Sequence, residues 1–150
     1  MPRDEDRAVS EVYELPQSAA RTHEIEGSAR RAVLSDFLDM AARFLEQVDR
    51  RHGATCAAIL AGATLEEYVR NLADANGIAT TTPGGEPIKA ESLNGELRGK
   101  GVYDLSEEMQ VTTWIELRNK AARASRDEFT AEEIRLMIQG VRDLTVRHPP

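Results

Sequence analysis

Trp114-Ile115-Glu116-Leu117-Arg118-Asn119-Lys120-Ala121-Ala122-Arg123 is the stretch from which the fold and any chemistry are read. Trp114, Leu117 and Ala121 recur at three and four, the spacing of one helix face. Arg118 follows those apolar positions, where a guanidinium offers a rigid fork of donors to a phosphate or a carboxylate. Asn119 is a poor helix former. An Arg satisfied by a core carboxylate and an Asn near a helix end would explain the pair equally well. The same dipeptide recurs as Arg70-Asn71, so the pair alone decides nothing.

Outward from this stretch the chain reads as helices interrupted by one long loop. Leu34, Phe37, Leu38, Ala41, Phe44, Leu45 and Val48 predict an amphipathic helix over residues 28–51, broken by Gly53. A second helix over 55–75 carries Ile59, Gly62, Glu66, Val69 and Ala73 along one side and stops at Asn76-Gly77. Residues 79–87 combine β-branched, Pro and Gly residues and predict an irregular loop. Gly84-Gly85 lacks the Gly-x-x-x-x-Gly-Lys pattern of a phosphate-cradling loop. A short helix follows within 87–100, ended by Gly99 and Gly101. Ser106 is the expected N-cap of the motif helix, whose inner side is Met109, Thr113, Trp114, Leu117 and Ala121. Thr130-Ala131-Glu132-Glu133 is a capping box for the last helix, with Ile134, Met137, Ile138, Val141 and Leu144 as core. Residues 1–26 are acidic and contain Pro2 and Pro16, which predicts a mobile arm or short helix beside a single domain over 27–148.

Composition bounds the rest. At 150 residues the chain suits one domain, burying about 70% of its unfolded surface. No apolar run approaches the roughly 20 residues of a membrane span. The N-terminus is acidic where a signal peptide is basic and then apolar, so a cytoplasmic protein is expected. The single cysteine, Cys56, excludes an internal disulfide and a cysteine cluster for zinc; its alanine-rich surroundings predict a small buried residue. No cofactor is implied. The net charge of −7 argues against nucleic-acid binding by the whole surface. Charge is unevenly spread, however: residues 1–26 hold seven acidic residues against three arginines, whereas from Met109 onward seven basic residues face six acidic ones. A local phosphate site around Arg118, Lys120, Arg123 and Arg126 is therefore feasible, against the alternative of a solvated helix face.

The segment from Trp114 through Leu117-Arg118-Asn119-Lys120-Ala121-Ala122, followed by Phe129-Thr130, Glu132-Glu133 and Met137-Ile138-Gln139-Gly140-Val141, resembles the HEPN family of small helical domains. Upstream, Leu60-Ala61-Gly62-Ala63-Thr64-Leu65-Glu66-Glu67 is similar to that family's Ala-Gly-x-x-Leu-Glu helix, and the resemblance spans residues 30 to 147. It implies an all-α bundle of four main antiparallel helices plus a short one, homodimeric, with metal-independent endoribonuclease chemistry of the toxin–antitoxin or phage-defence kind. It also assigns roles: Arg118 would stabilise the scissile phosphate, Asn119 would orient it, and Lys120 and Arg126 would hold RNA. The chain departs from the family at Arg123, which stands where the family has His.

That departure bears on mechanism. Attack by a ribose 2′-hydroxyl needs a group that exchanges protons near neutral pH, as imidazole does with its pKa of about 6.5. Arginine stabilises charge on the phosphorane but, with a pKa above about 12, serves as neither general acid nor base. The three histidines are His23, His52 and His148, none within the few residues after Arg118. Arg123 is either natural or an introduced single-base change that disarms a toxic nuclease. On an ideal helix positions 118 and 123 lie about 140 degrees apart, so a site using both needs a redirected helix end or a second subunit. Asn119 and Arg123 stack on one side, and the small residues Ala121, Ala122, Ala124 and Ser125 permit close approach there. Glu66, a carboxylate on an apolar face, requires a partner, and Arg118 is the one expected. The resulting expectation is an RNA-binding protein of endoribonuclease type with impaired cleavage; the alternative is a non-catalytic interaction module for an antitoxin or nucleotidyltransferase-type protein.

Overall fold

The computed structural model of the protein describes residues 4–47, 50–123 and 128–150, with backbone alone at 4–20, 23, 50 and 51. Among the described residues it is all-helical: α1 (Asp4–Glu46), α2 (Arg50–Ala75), α3 (Ala90–Gly99), α4 (Leu105–Ala122) and α5 (Ala131–Arg147), with no strand. The chain divides into two compact units, Met1–Val33 and Leu34–Pro150. In the first, α1 runs through residue 26, and Ile25 and Val33 are exposed.

In the second unit α2 is the central helix and packs against α3, α4 and α5. Its small residues allow this. Ala57, Ala58, Ala61 and Ala73 are fully buried, with Leu65, Tyr68 and Val69 filling the space between them. Leu34, Leu38 and Ala41 of α1 complete one side of the core, and Ile134, Met137, Ile138, Val141 and Leu144 of α5 another. The five α5 residues are those expected from their spacing, and the Thr130–Glu133 capping box forms as read.

Several boundaries differ from the sequence reading, each for a local reason. Gly53 does not break a helix; it lies inside α2, where a Cβ would stand 2.3 Å from the Phe44 carbonyl oxygen. Its conformational cost of about 1 kcal/mol is offset by the close approach of α1 and α2 that it permits. Asp104, not Ser106, caps α4: its carboxylate accepts from the Glu107 amide at 2.9 Å while Glu107 Oε1 accepts from the Asp104 amide at 3.3 Å. An acidic partner stands three residues beyond Asp104, as a capping box requires, whereas Met109 stands three beyond Ser106. The α4 helix therefore starts two residues earlier than a Ser106 cap would give, and its buried side is Val111, Trp114, Ile115, Leu117 and Ala121. Met109 and Thr113 face outward instead. Phe37 and Ile59, expected in the core, are 41% exposed. Cys56, expected to be buried, is exposed. Val48 lies outside the described residues.

The helix ends that glycine controls are well formed. After α2, the Ile78 amide bonds the Ala73 carbonyl and the Gly77 amide the Asp74 carbonyl, with Gly77 at φ +72°. After α3, Val102 and Gly101 repeat the arrangement on Leu97 and Arg98. Each is a Schellman motif that stops the helix and leads the chain away from it. The intervening 79–87 segment is irregular, as expected, with one isolated bridge between Thr81 and Pro87.

Candidate functional site

The Arg118 side chain is built into the α2–α4 contact. A Cβ on Gly62 would lie 2.1 Å from Arg118 Cγ and 2.4 Å from its Cβ, so only glycine leaves room for the arginine stem. One helical turn further along α2, Glu66 Oε1 accepts from Arg118 Nη1 at 2.6 Å. Asn119 Oδ1 lies 3.3 Å from the same nitrogen. The pair expected from the sequence is thus present, although both side chains are about 30% exposed rather than buried (30% and 28%). Among the described residues, Glu108 Oε2 is the buried side-chain polar atom left without a hydrogen bond. Arg118 Nε and Nη2 bond no group among the described residues. A guanidinium with one nitrogen tied and its remaining edge open can take two anionic oxygens side by side.

The other residues assigned by resemblance are not drawn into this cluster. Arg123 is the C-cap of α4 and is exposed; its amide bonds the Ala121 and Asn119 carbonyls. Lys120 lies in the last turn of α4, half-buried, and neither side chain makes a hydrogen bond or ion pair with Arg118, Asn119 or Glu66. Arg126 lies outside the described residues, as do Ala124 and Ser125.

A second polar cluster, not anticipated from the sequence, sits at the opposite end of α4. His148 Nε2 is 2.6 Å from Glu107 Oε2, and Arg147 Nη2 is 3.5 Å from the same oxygen. The Tyr68 hydroxyl donates to the His148 carbonyl at 2.6 Å, with the Leu144 carbonyl 3.2 Å away. The Tyr103 hydroxyl donates to Asn94 Oδ1, and Asn94 Nδ2 donates to the Glu108 carbonyl at 3.1 Å. Burial first, then the charges of Tyr103 and Glu107, push the Tyr68 hydroxyl well above the ordinary tyrosine pKa, with Arg147 opposing. Burial, Glu108 and Glu107 do the same to Tyr103. Both phenols stay neutral donors. Glu107 and Arg118 are eleven residues apart on one helix, about 16 Å along its axis, so His148 does not serve Arg118 within one chain.

A solvent-facing groove of about 630 Å³ runs between α4 and α5, lined by Leu105, Met109, Thr113, Trp114, Leu136 and Gly140. Leu105, Met109 and Leu136 are more than half exposed. Trp114 closes its floor, with its ring so near α5 that a Cβ on Gly140 would stand 2.3 Å from Cζ2. Among the described residues, no group of three His, Cys, Asp or Glu is placed to hold a metal ion, and no helix is long and apolar enough to cross a membrane.

Sequence reasoning reached Arg118, Asn119 and Glu66 but not Gly62 as the cradle. The available signal was a glycine in mid-helix, which costs about 1 kcal/mol against alanine and calls for a packing reason. No family model, curated protein or solved structure matches the chain.

Proposed function

We propose that the chain is an RNA-binding protein of the HEPN type, an antiparallel bundle acting as a homodimer, with metal-independent endoribonuclease ancestry in a toxin–antitoxin or phage-defence setting. The observation that carries the reading is the arginine at the α2–α4 contact: Arg118 is cradled on Gly62, tied through Nη1 to Glu66, and 30% exposed, with Nε and Nη2 bonding nothing further among the described residues. In this reading Arg118 holds a backbone phosphate, Asn119 steadies the guanidinium, and Lys120, Arg123 and Arg126 add electrostatic attraction along the strand. Cleavage is impaired because Arg123 cannot move a proton at neutral pH.

The test compares the purified chain with Arg123→His and with Arg123→His/Arg118→Ala on single-stranded and structured RNA in EDTA. Cutting by Arg123→His alone is the expected result, and it identifies position 123 as the missing proton carrier. No cutting by any of the three folded proteins across a broad RNA panel removes the nuclease ancestry. The α4–α5 groove, with Met109 and Leu136 facing solvent, favours a second reading as a non-catalytic interaction module. RNA-independent behaviour that is lost on Met109→Ser/Leu136→Ser supports that reading.

A further inference from the structure

We propose that Glu66 is a counter-anion built into the site, which weakens the hold of Arg118 on a phosphodiester instead of assisting it. The inference rests on the phosphate role given to Arg118 above. Glu66 Oε1 and Asn119 Oδ1 both accept from Nη1, at 2.6 and 3.3 Å, while Nε and Nη2 bond nothing among the described residues. Gly62 seats the Cβ–Cδ stem against α2, which keeps the guanidinium within reach of Glu66 one turn along the same helix. A phosphate arriving at the open edge therefore meets a guanidinium whose charge is already matched, with a carboxylate one guanidinium width away. At such a separation, like charges near a protein surface repel appreciably even through high effective dielectric.

A purely orienting residue would not need this charge. Glutamine at position 66 offers the same acceptor oxygen to Nη1 and keeps the guanidinium in place, so Glu66→Gln isolates the charge from the geometry. Glu66→Gln is expected to bind a phosphate group about 3- to 30-fold more tightly than the wild type at low salt, with the gain shrinking as salt screens the repulsion. Glu66→Asp retains the charge and is expected to return affinity towards the wild-type value.

The experiment uses two probes on the full chain. A 12-nucleotide single-stranded RNA is followed by fluorescence anisotropy in EDTA, and inorganic phosphate by its effect on the Arg118 Nε–Hε resonance, assigned from its loss in Arg118→Lys. Tighter phosphate binding by Glu66→Gln, rescued by Glu66→Asp and absent in the Arg118→Ala background, supports the counter-anion. Unchanged or weaker phosphate binding by Glu66→Gln, or no response of Arg118 to phosphate in either protein, overturns it. RNA binding that is indifferent to Arg118→Ala overturns the RNA role of the site, while the phosphate titration still decides the role of Glu66. Thermal melting of each variant confirms that the comparison is between folded proteins.

Discussion

The two Arg-Asn dipeptides put the same chemistry to opposite uses. Arg70 turns its guanidinium onto the loop that follows α2, donating to the Ile88 carbonyl at 2.7 Å and the Thr80 carbonyl at 3.4 Å. Asn71 makes no comparable contact with it. Arg118 instead meets a carboxylate, has Asn119 on the same nitrogen, and stays 30% exposed. One arginine is spent on backbone carbonyls, reinforcing a Thr80 carbonyl that already accepts from the Ile88 amide; the other is paired through a single nitrogen among the described residues. A dipeptide therefore says little about function until the residues facing it are known, and here those residues are Gly62 and Glu66 in one case and a loop in the other.

The largest way to break this contrast is at the cradle. Gly62→Ala forces Arg118 off α2, and overpacking of this kind is expected to cost about 2–3 kcal/mol after any gain in helix propensity, measured as a drop in unfolding free energy by urea denaturation. It should also abolish RNA binding by the protein that remains folded. Arg70→Ala comes next. Loss of two carbonyl contacts is expected to cost about 1–2 kcal/mol, with hydrogen exchange accelerated in residues 79–88 and RNA binding untouched. Arg118→Ala should do the reverse, costing at most about 1 kcal/mol because its ion pair is partly exposed but removing the RNA-dependent change in anisotropy. If Arg118→Ala proves more destabilising than Arg70→Ala, the two arginines are both structural and the contrast fails.

A smaller effect comes from the tyrosine cluster, which serves as the comparison's neutral control. Tyr68→Phe is expected to cost about 1 kcal/mol through the lost bond to the end of α5, without altering RNA binding. The pH dependence has a definite sign. The folded-state pKa values of Tyr68 and Tyr103 are raised, so the folded state retains these protons more firmly than the unfolded chain does. Their contribution is fully present below the unfolded tyrosine pKa of about 10 and is lost as pH rises beyond it. Melting temperature should accordingly fall above pH 10, and less steeply in Tyr68→Phe/Tyr103→Phe; an identical slope in both proteins would show that the phenols are not the cause.

Much of the helical pattern was legible because periodicity reports directly on burial. The Ile134, Met137, Ile138, Val141, Leu144 stripe and the Thr130 capping box stand as read, and so do the glycine stops after α2 and α3. Misreadings cluster where glycine or a cap has two meanings. Gly53 can end a helix or admit a neighbouring one, and only the Phe44 carbonyl beside it decides. Ser106 and Asp104 are both good N-caps, and only the Glu107 carboxylate three residues beyond Asp104 decides between them; Met109 and Thr113 share a helical spacing with Trp114, Leu117 and Ala121, yet α4 buries Val111 and Ile115 in their stead. At the site, the Glu66–Arg118 pair followed from charge on an apolar face, whereas the cradle and the Tyr68–His148–Glu107 cluster depend on helix approach and long-range contacts that no local spacing encodes.

The indole of Trp114 is the chain's one tryptophan. It is 8% exposed and lies against Gly140, about one α4 turn before Arg118. Nature has thus left a single intrinsic fluorophore at the α4–α5 seam, four residues from the open guanidinium. Its emission should lie to the blue in the folded chain, shift red on unfolding, and respond to any ligand that moves α4, giving an optical readout of the site that needs no label.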